Sequence, residues 1–272
     1  MTRIAHISDL HFGALEPGAV GALGRAIADA APVAVVASGD LTMRGRPREF
    51  AEAAAFLRSL ALPILAIPGN HDMAYWNLAA RFGAPWRRYL GAVEGVASDE
   101  LLLPGAQLVG VNTSRPLGPH WNWSHGALSL AQARRVEAAF AESPPGAWRG
   151  LVAHHPFQPP QETRQFRPVR RARSMLEALA KRSIDFVLAG HLHRTGWVFS
   201  AHIERAFGRS VLLIQASTAT SSRRRDQPNA FNVLDLSDGA LTLTPWALRD
   251  GSFAPGEPAR FIRGERGLRT AP

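Results

Sequence analysis

The 272-residue chain has no cysteine. That excludes a disulfide framework and any thiolate-held metal, so a metal ion would need His, Asn and carboxylate ligands. Lysine is nearly absent too: Lys181 is the single one, and the net charge of +9 rests almost wholly on arginine. A GC-rich coding bias produces such a balance without selection for an anionic partner, and basicity without interleaved aromatics does not by itself point to nucleic acid. No stretch approaches the roughly 18 uninterrupted apolar residues of a membrane span. Even Ala30 to Val36 is short and is followed by Gly39-Asp40. A secretory signal pattern is missing as well, since Met1-Thr2-Arg3 leads straight into the strand-like Ile4 to Ser8. Cytoplasmic residence is the expectation.

What is present describes a folded globular chain. Apolar residues make up 46% and charged residues 19%, a balance that supports a well-buried core, and no long polar tract divides the sequence. One domain over 1–250 is expected, followed by a C-terminal tail over 251–272, where Gly, Pro and Arg dominate and Gly264 to Pro272 reads as mobile. The N-terminal part repeats strand, loop and helix: Ile4 to Ser8, a helix over Val20 to Ala31, a β-branched run Pro32 to Ala37, a helix opened by Pro47 and running through Leu57, and Ile64 to Ile67 broken by Pro68-Gly69. Gln107 to Val111, Gly150 to Ala153 and Ile184 to Ala189 extend the pattern. Ser129 to Glu142 reads as an amphipathic helix capped by Ser129. Val211 to Gln215, Ala230 to Leu236 and Ala240 to Leu248 read as a terminal set of strands with hairpin turns such as Ser237-Asp238-Gly239. The class is α/β.

Metal-binding side chains recur just past the ends of these runs. They are Asp9 and His11, Asp40 after Gly39, Asn70 in Gly69-Asn70-His71-Asp72, His154, and His191 and His193 in His191-Leu192-His193. Open α/β sheets place their ligands at that edge, and a core has no need of such spacing. These mixed nitrogen and oxygen donors suffice for two divalent cations sharing one carboxylate. Such a pair is the equipment of phosphoester hydrolysis, because it lowers the pKa of a bound water and clamps the phosphoryl oxygens. An isolated His at a strand end is more often a packed residue, but five motifs in order, each after a β-type run, are hard to obtain by chance.

In that order, Asp9-Leu10-His11, Gly39-Asp40, Gly69-Asn70-His71-Asp72, His154 and Gly190-His191-Leu192-His193, the sequence resembles the calcineurin-like metallophosphoesterase superfamily over about residues 4 to 220. The resemblance implies a four-layer α/β/β/α sandwich of two mixed sheets flanked by helices. It also implies a dinuclear centre with Asp40 as the bridge, Asp9, His11 and His193 completing the first site, and Asn70, His154 and His191 the second. His154 is taken over His155 because relatives place the donor two residues before a proline, here Pro156. The ions are Mn²⁺, Fe or Zn²⁺, among which these donors do not choose. By the same resemblance a hydroxide bridging the metals attacks, while His71 stabilises the transition state or protonates the leaving oxygen. Asp72 either orients His71 by a hydrogen bond or caps a helix.

Arg44, Asn112, Arg115 and His155 are the substrate-side candidates. A guanidinium on a strand-end loop can grip a non-bridging oxygen as a fork, and the plain alternatives are a solvated arginine and an Asx turn. Arg223-Arg224-Arg225 reads as a solvated loop or as the lining of an anionic path. Two long segments, Pro116 to Gly126 and Phe157 to Arg173, the first holding His120, Trp121 and Trp123, are candidate specificity loops. The contexts Ile7 to Gly13 and Ser38 to Thr42 resemble the bacterial cyclic-nucleotide and glycerophosphodiester branch, so a phosphodiesterase is expected. The alternatives are a phosphomonoesterase, a lipid-precursor pyrophosphatase, a nuclease and a binding scaffold without activity. The expected partner is a small anionic phosphoester, with nucleic acid or peripheral membrane contact as secondary readings.

Overall fold

A computed structural model describes residues 1–74, 77–116, 125–158, 167–200, 205–206 and 208–271. His120, Trp121, Trp123 and much of both candidate specificity loops lie outside the described residues.

The first sheet contains β1 (Thr2–Ile7), β2 (Ala34–Ala37), β3 (Ile64–Ala66), β10 (Ala230–Ser237), β11 (Ala240–Arg249), β12 (Ser252–Pro255), β13 (Ala259–Gly264) and β14 (Gly267–Thr270). Its order is β14-β13-β11-β10-β1-β2-β3, with β12 also against β11. The second contains β4 (Glu100–Leu103), β5 (Ala106–Val111), β6 (Trp148–Ala153), β7 (Phe186–Ala189), β8 (Gly196–Phe199) and β9 (Leu212–Gln215), in the order β4-β5-β6-β7-β9-β8. Each has a parallel part, β1-β2-β3 or β5-β6-β7-β9, edged by antiparallel strands. Both sheets are therefore mixed.

The helices are α1 (Ala19–Ala30), α2 (Pro47–Ser59), α3 (Leu78–Gly83), α4 (Arg87–Val93), α5 (Leu130–Ala141) and α6 (Ala172–Ala180). Pro47 starts α2 where a missing N–H costs nothing, and the Glu49 carboxylate accepts from Arg46 N at 3.3 Å and Arg44 N at 2.7 Å. In α5, Ser129 Oγ accepts from Gln132 N at 3.1 Å while Gln132 Oε1 accepts from Ser129 N at 2.9 Å, a reciprocal cap.

Layering follows from the alternation of side chains along each parallel strand. In β1 and β2, Ala5, Ile7, Val35 and Ala37 face α1 and α2 through Leu23, Ile27, Phe50 and Leu57, while Ile4 and Val36 point the other way. In β6 and β7, Leu151, Ala153 and Val187 meet Phe140, Leu176 and Leu179 of α5 and α6, while Val152 and Leu188 turn inward. The inward sets of the two sheets pack on one another, giving α/β/β/α. Burial on both faces explains the nearly continuous apolar runs.

Two expectations are corrected. The three terminal strands are not one set: β9 pairs in parallel with β7 in the second sheet, and only β10 and β11 form a hairpin in the first. Nor is 251–272 a tail, since β12, β13 and β14 add to the sheet, Phe261 and Leu268 enter the core between the sheets, and Arg263 binds buried Asp185 at 2.8 Å while stacking on Trp148 at 3.8 Å. Three buried apolar side chains, Phe253, Phe261 and Leu268, anchor a segment whose composition reads as a tail. Among the described residues, no helix is long and apolar enough to cross a membrane.

Candidate metal centre

All seven proposed donors follow the C-terminal ends of parallel strands: Asp9 and His11 after β1, Asp40 after β2, Asn70 after β3, His154 after β6, and His191 and His193 after β7. The backbone there is bent at a cost. Asp9, His11, Asp40, His191 and His193 all have left-handed φ, between 50° and 75°. Each such residue costs roughly 1–2 kcal/mol. Asp, Asn and His are the types that tolerate that region best, and strain gathered at one place marks a functional site. Glycines let the loops close in. A Cβ on Gly69 would fall 2.0 Å from Asp40 Oδ1, and one on Gly190 would fall 1.8 Å from Ser8 Oγ.

The tautomers follow from backbone carbonyls, which only accept. His11 Nδ1 donates to Thr42 O at 3.3 Å, His193 Nδ1 to Arg223 O at 2.8 Å and His154 Nδ1 to Ser38 O at 2.9 Å. In each neutral ring Nε2 is then a bare lone pair. Those of His11 and His193 face each other at 3.2 Å, with Asp9 Oδ1 3.2 Å from His193 Nε2 and without a hydrogen-bond donor of its own. His154 Nε2 lies 3.2 Å from Asn70 Oδ1 and 3.3 Å from Asp40 Oδ2, and Asp40 Oδ2 is also 3.8 Å from His11 Nε2. Acceptors turned on one another in a buried site repel unless a cation lies among them. The donor set therefore fits divalent metal ions, with Asp40 reaching both groups and the second-sphere carbonyls fixing the rings.

Electrostatics agree. Burial works against charge on Asp40, but the fields of His154, His71 and His11 outweigh it and hold the carboxyl below its ordinary range. Burial likewise lowers His154, yet the Asp40 charge and hydrogen bond raise it to about 9. His191, feeling burial and then the His154 charge, falls to about 3. A charged Asp40 thus sits among imidazoles for whose lone pairs protons and metal ions compete.

An open cavity of about 420 Å³ exposes the centre, lined by Asp40, Asn70, His71, His191, His193, Arg223, Arg224 and Arg225. His71 N donates to Asp40 Oδ1 at 2.8 Å, and its ring donates from Nδ1 to Met43 O at 2.8 Å. Nε2 is left for the cavity.

The calcineurin-like phosphoesterase family model matches residues 2–195. The chain belongs to the calcineurin-like phosphoesterases. It is 39% identical over 80 residues to the glycerophosphodiester phosphodiesterase GpdQ of Enterobacter lignolyticus, an alignment covering 25% of this chain and 29% of that relative. A dimetal phosphatase from Danio rerio superposes with a TM-score of 0.66 at 14% identity, covering 93% of this chain and 98% of that one. The purple acid phosphatase PPD1 of yellow lupin gives 0.72 at 14% identity, covering 97% and 54%. Those two structures establish likeness of fold.

Several expectations about this phosphoesterase's site change. The hydrogen bonds of the Asp72 carboxylate go elsewhere than to the His71 ring, whose Nδ1 is on Met43 O. That carboxylate accepts from Leu41 N (3.1 Å), Thr42 N (2.8 Å), Thr42 Oγ1 (2.9 Å) and Gly69 N (2.9 Å), tying the Asp40 loop to the Asn70 loop. Burial and the nearby Asp40 charge lift it to about 6 against those bonds. Arg44, Asn112, Arg115 and His155 do not line the cavity. Arg44 points to solvent, Asn112 Oδ1 closes an Asx turn on Ser114 N at 2.9 Å, and Arg115 bonds Gln132 Oε1 at 3.1 Å. His155 is buried, bonded to Thr113 Oγ1 at 2.7 Å, with its ring 4.7 Å from His191. Its ligand atom is within metal-binding reach of His154 and His191, but only His154 contacts Asp40 and Asn70. Among the described residues the arginines that reach the cavity are Arg223, Arg224 and Arg225, and the run of three was their only signal in the sequence.

Proposed function

We propose that this protein is a dinuclear metal-dependent phosphodiesterase. The carrying observation is the convergence of metal-ligating side-chain atoms at 3.2–3.3 Å, with Asp40 within reach of both groups. The diester preference is supported by the partial similarity to a glycerophosphodiester phosphodiesterase. Asp9, His11, Asp40 and His193 would hold one ion, and Asp40, Asn70, His154 and His191 the other. Bound there, Mn²⁺, Fe or Zn²⁺ would supply the charge that activates water and neutralises phosphoryl oxygens.

The chain's own residues do the rest. His71 presents Nε2 to the cavity while the Met43 carbonyl fixes Nδ1–H, so a protonated ring donates from Nε2 to the departing alkoxide and a neutral one takes the proton back from solvent. The Asp40 carboxylate, by accepting from His71 N, sets the distance between that ring and the metal donors. The arginine wall draws in an anion. Hydrolysis of bis(p-nitrophenyl) phosphate against p-nitrophenyl phosphate with added Mn²⁺ tests the reading. Asp40→Ala should lose metal and activity together, and His71→Ala should keep its metal while kcat falls about a hundredfold or more. Equal activity in all three proteins, or monoester hydrolysis alone, would refute it.

A further inference from the structure

Arg223, Arg224 and Arg225 follow β9 on a loop that is bolted to the metal donors. Arg223 O receives His193 Nδ1 at 2.8 Å, Arg223 N donates to Ser221 Oγ at 3.1 Å, and Ser222 N donates to Ala14 O at 2.9 Å. Upstream, Thr218 Oγ1 and Thr220 Oγ1 donate to the carbonyls of Asp9 and Leu10 at 2.6 and 2.7 Å. An arginine that merely solvates a surface needs no such mounting. Arg224 lies 3.5 Å from Glu16, and Arg194 pairs with Asp226. Among the described residues no carboxylate lies within ion-pair distance of Arg223, whose Nη1 meets Met43 Sδ at 3.5 Å. Burial first and then the Arg194 charge lower the Arg225 guanidinium, against the opposing charges of Asp9 and Asp226.

On the phosphodiesterase reading above, we infer that the substrate carries a second phosphate, a terminal phosphomonoester away from the scissile bond, gripped by Arg223 and Arg225 at the cavity wall. One guanidinium fork satisfies a carboxylate, whereas a phosphomonoester has three terminal oxygens and up to two charges, and so engages more than one fork. A cavity of about 420 Å³ suits a molecule of nucleotide size. Two cations on one short loop, Arg223 and Arg225, address one anionic group, while a polynucleotide track spreads its cations along a groove.

The test compares thymidine 5′-(p-nitrophenyl phosphate) with its 3′-phosphorylated form on the Mn²⁺-loaded protein, and thymidine 5′-phosphate with thymidine 3′,5′-bisphosphate by calorimetric binding. The extra phosphate should raise kcat/KM, mostly through KM, and tighten binding, each by about tenfold. The double variant Arg223→Gln/Arg225→Gln should bring both ratios close to one, whereas Arg48→Gln on exposed α2 should leave them as they were. Equal binding of the two nucleotides, a preference that survives the double variant, or faster cleavage of an oligothymidylate would overturn the inference. If neither diester is hydrolysed while arginine-dependent bisphosphate binding persists, the phosphodiesterase reading fails and the anion site stands.

Discussion

At the scale of single residues, two buried groups outside the donor set govern how the site holds together. Asp72 is the acceptor for three backbone N–H groups and one hydroxyl. Asp72→Ala strands those donors in a dry interior, so the urea midpoint should drop by the equivalent of about 3 kcal/mol or more. A drop below 1 kcal/mol would contradict its bracing role. His6 is fully buried beside Ser38 Oγ at 2.9 Å, and burial lowers its pKa from 6.5 to about 3. The unfolded chain therefore takes up a proton in a window where the fold refuses it. Stability is intact above pH 6.5 and falls as pH drops toward 3. From pH 7 to pH 5 this one group should cost about 2 kcal/mol, and urea titrations of His6→Gln should show a fall smaller by that amount. The clustering of the seven side chains was legible because polar residues recur just past the ends of apolar β-type runs, a spacing no core requires. Asp72 misled because a carboxylate next to a histidine gives no hint that its partners are backbone amides from another loop. Arg44 and Arg115 misled because, in an arginine-rich chain, nearness to a strand end does not say which way a long side chain leaves it.

At the scale of elements, the parallel strands were readable as short apolar runs ending in a polar residue, because they are buried on both faces and terminate at the site. The edge strands were not. β4 alternates exposed and half-buried positions, and β12 to β14 contain few apolar residues, of which Phe253, Phe261 and Leu268 alone are buried. A segment with so little hydrophobic content joins a sheet because its register puts those few side chains inward. Phe261→Ala should accordingly cost about 3–5 kcal/mol by denaturant unfolding, and a chain ending at residue 250 should lose cooperative unfolding altogether. A truncated chain that melts like the full one would restore the tail reading.

At the scale of the whole molecule, the centre joins two sheets. Asp9, His11, Asp40 and Asn70 come from the first, and His154, His191 and His193 from the second. Cations held between them should staple the sandwich, and a ligand at a hundred times its Kd adds about 2.7 kcal/mol to folding. Mn²⁺ should therefore raise the unfolding temperature of the native chain and leave that of Asp40→Ala unmoved. The layer order is implied by the family resemblance, but the split of the terminal strands between sheets depends on pairings that local sequence does not encode.

One aspartate should join two cations at the meeting of these sheets. Anomalous scattering from a crystal of the Mn²⁺-soaked protein tests it directly. Two peaks should appear, both within bonding distance of Asp40, one also touching His11 and His193 and the other His154 and His191. A single peak, or a pair that leaves Asp40 untouched, would contradict it.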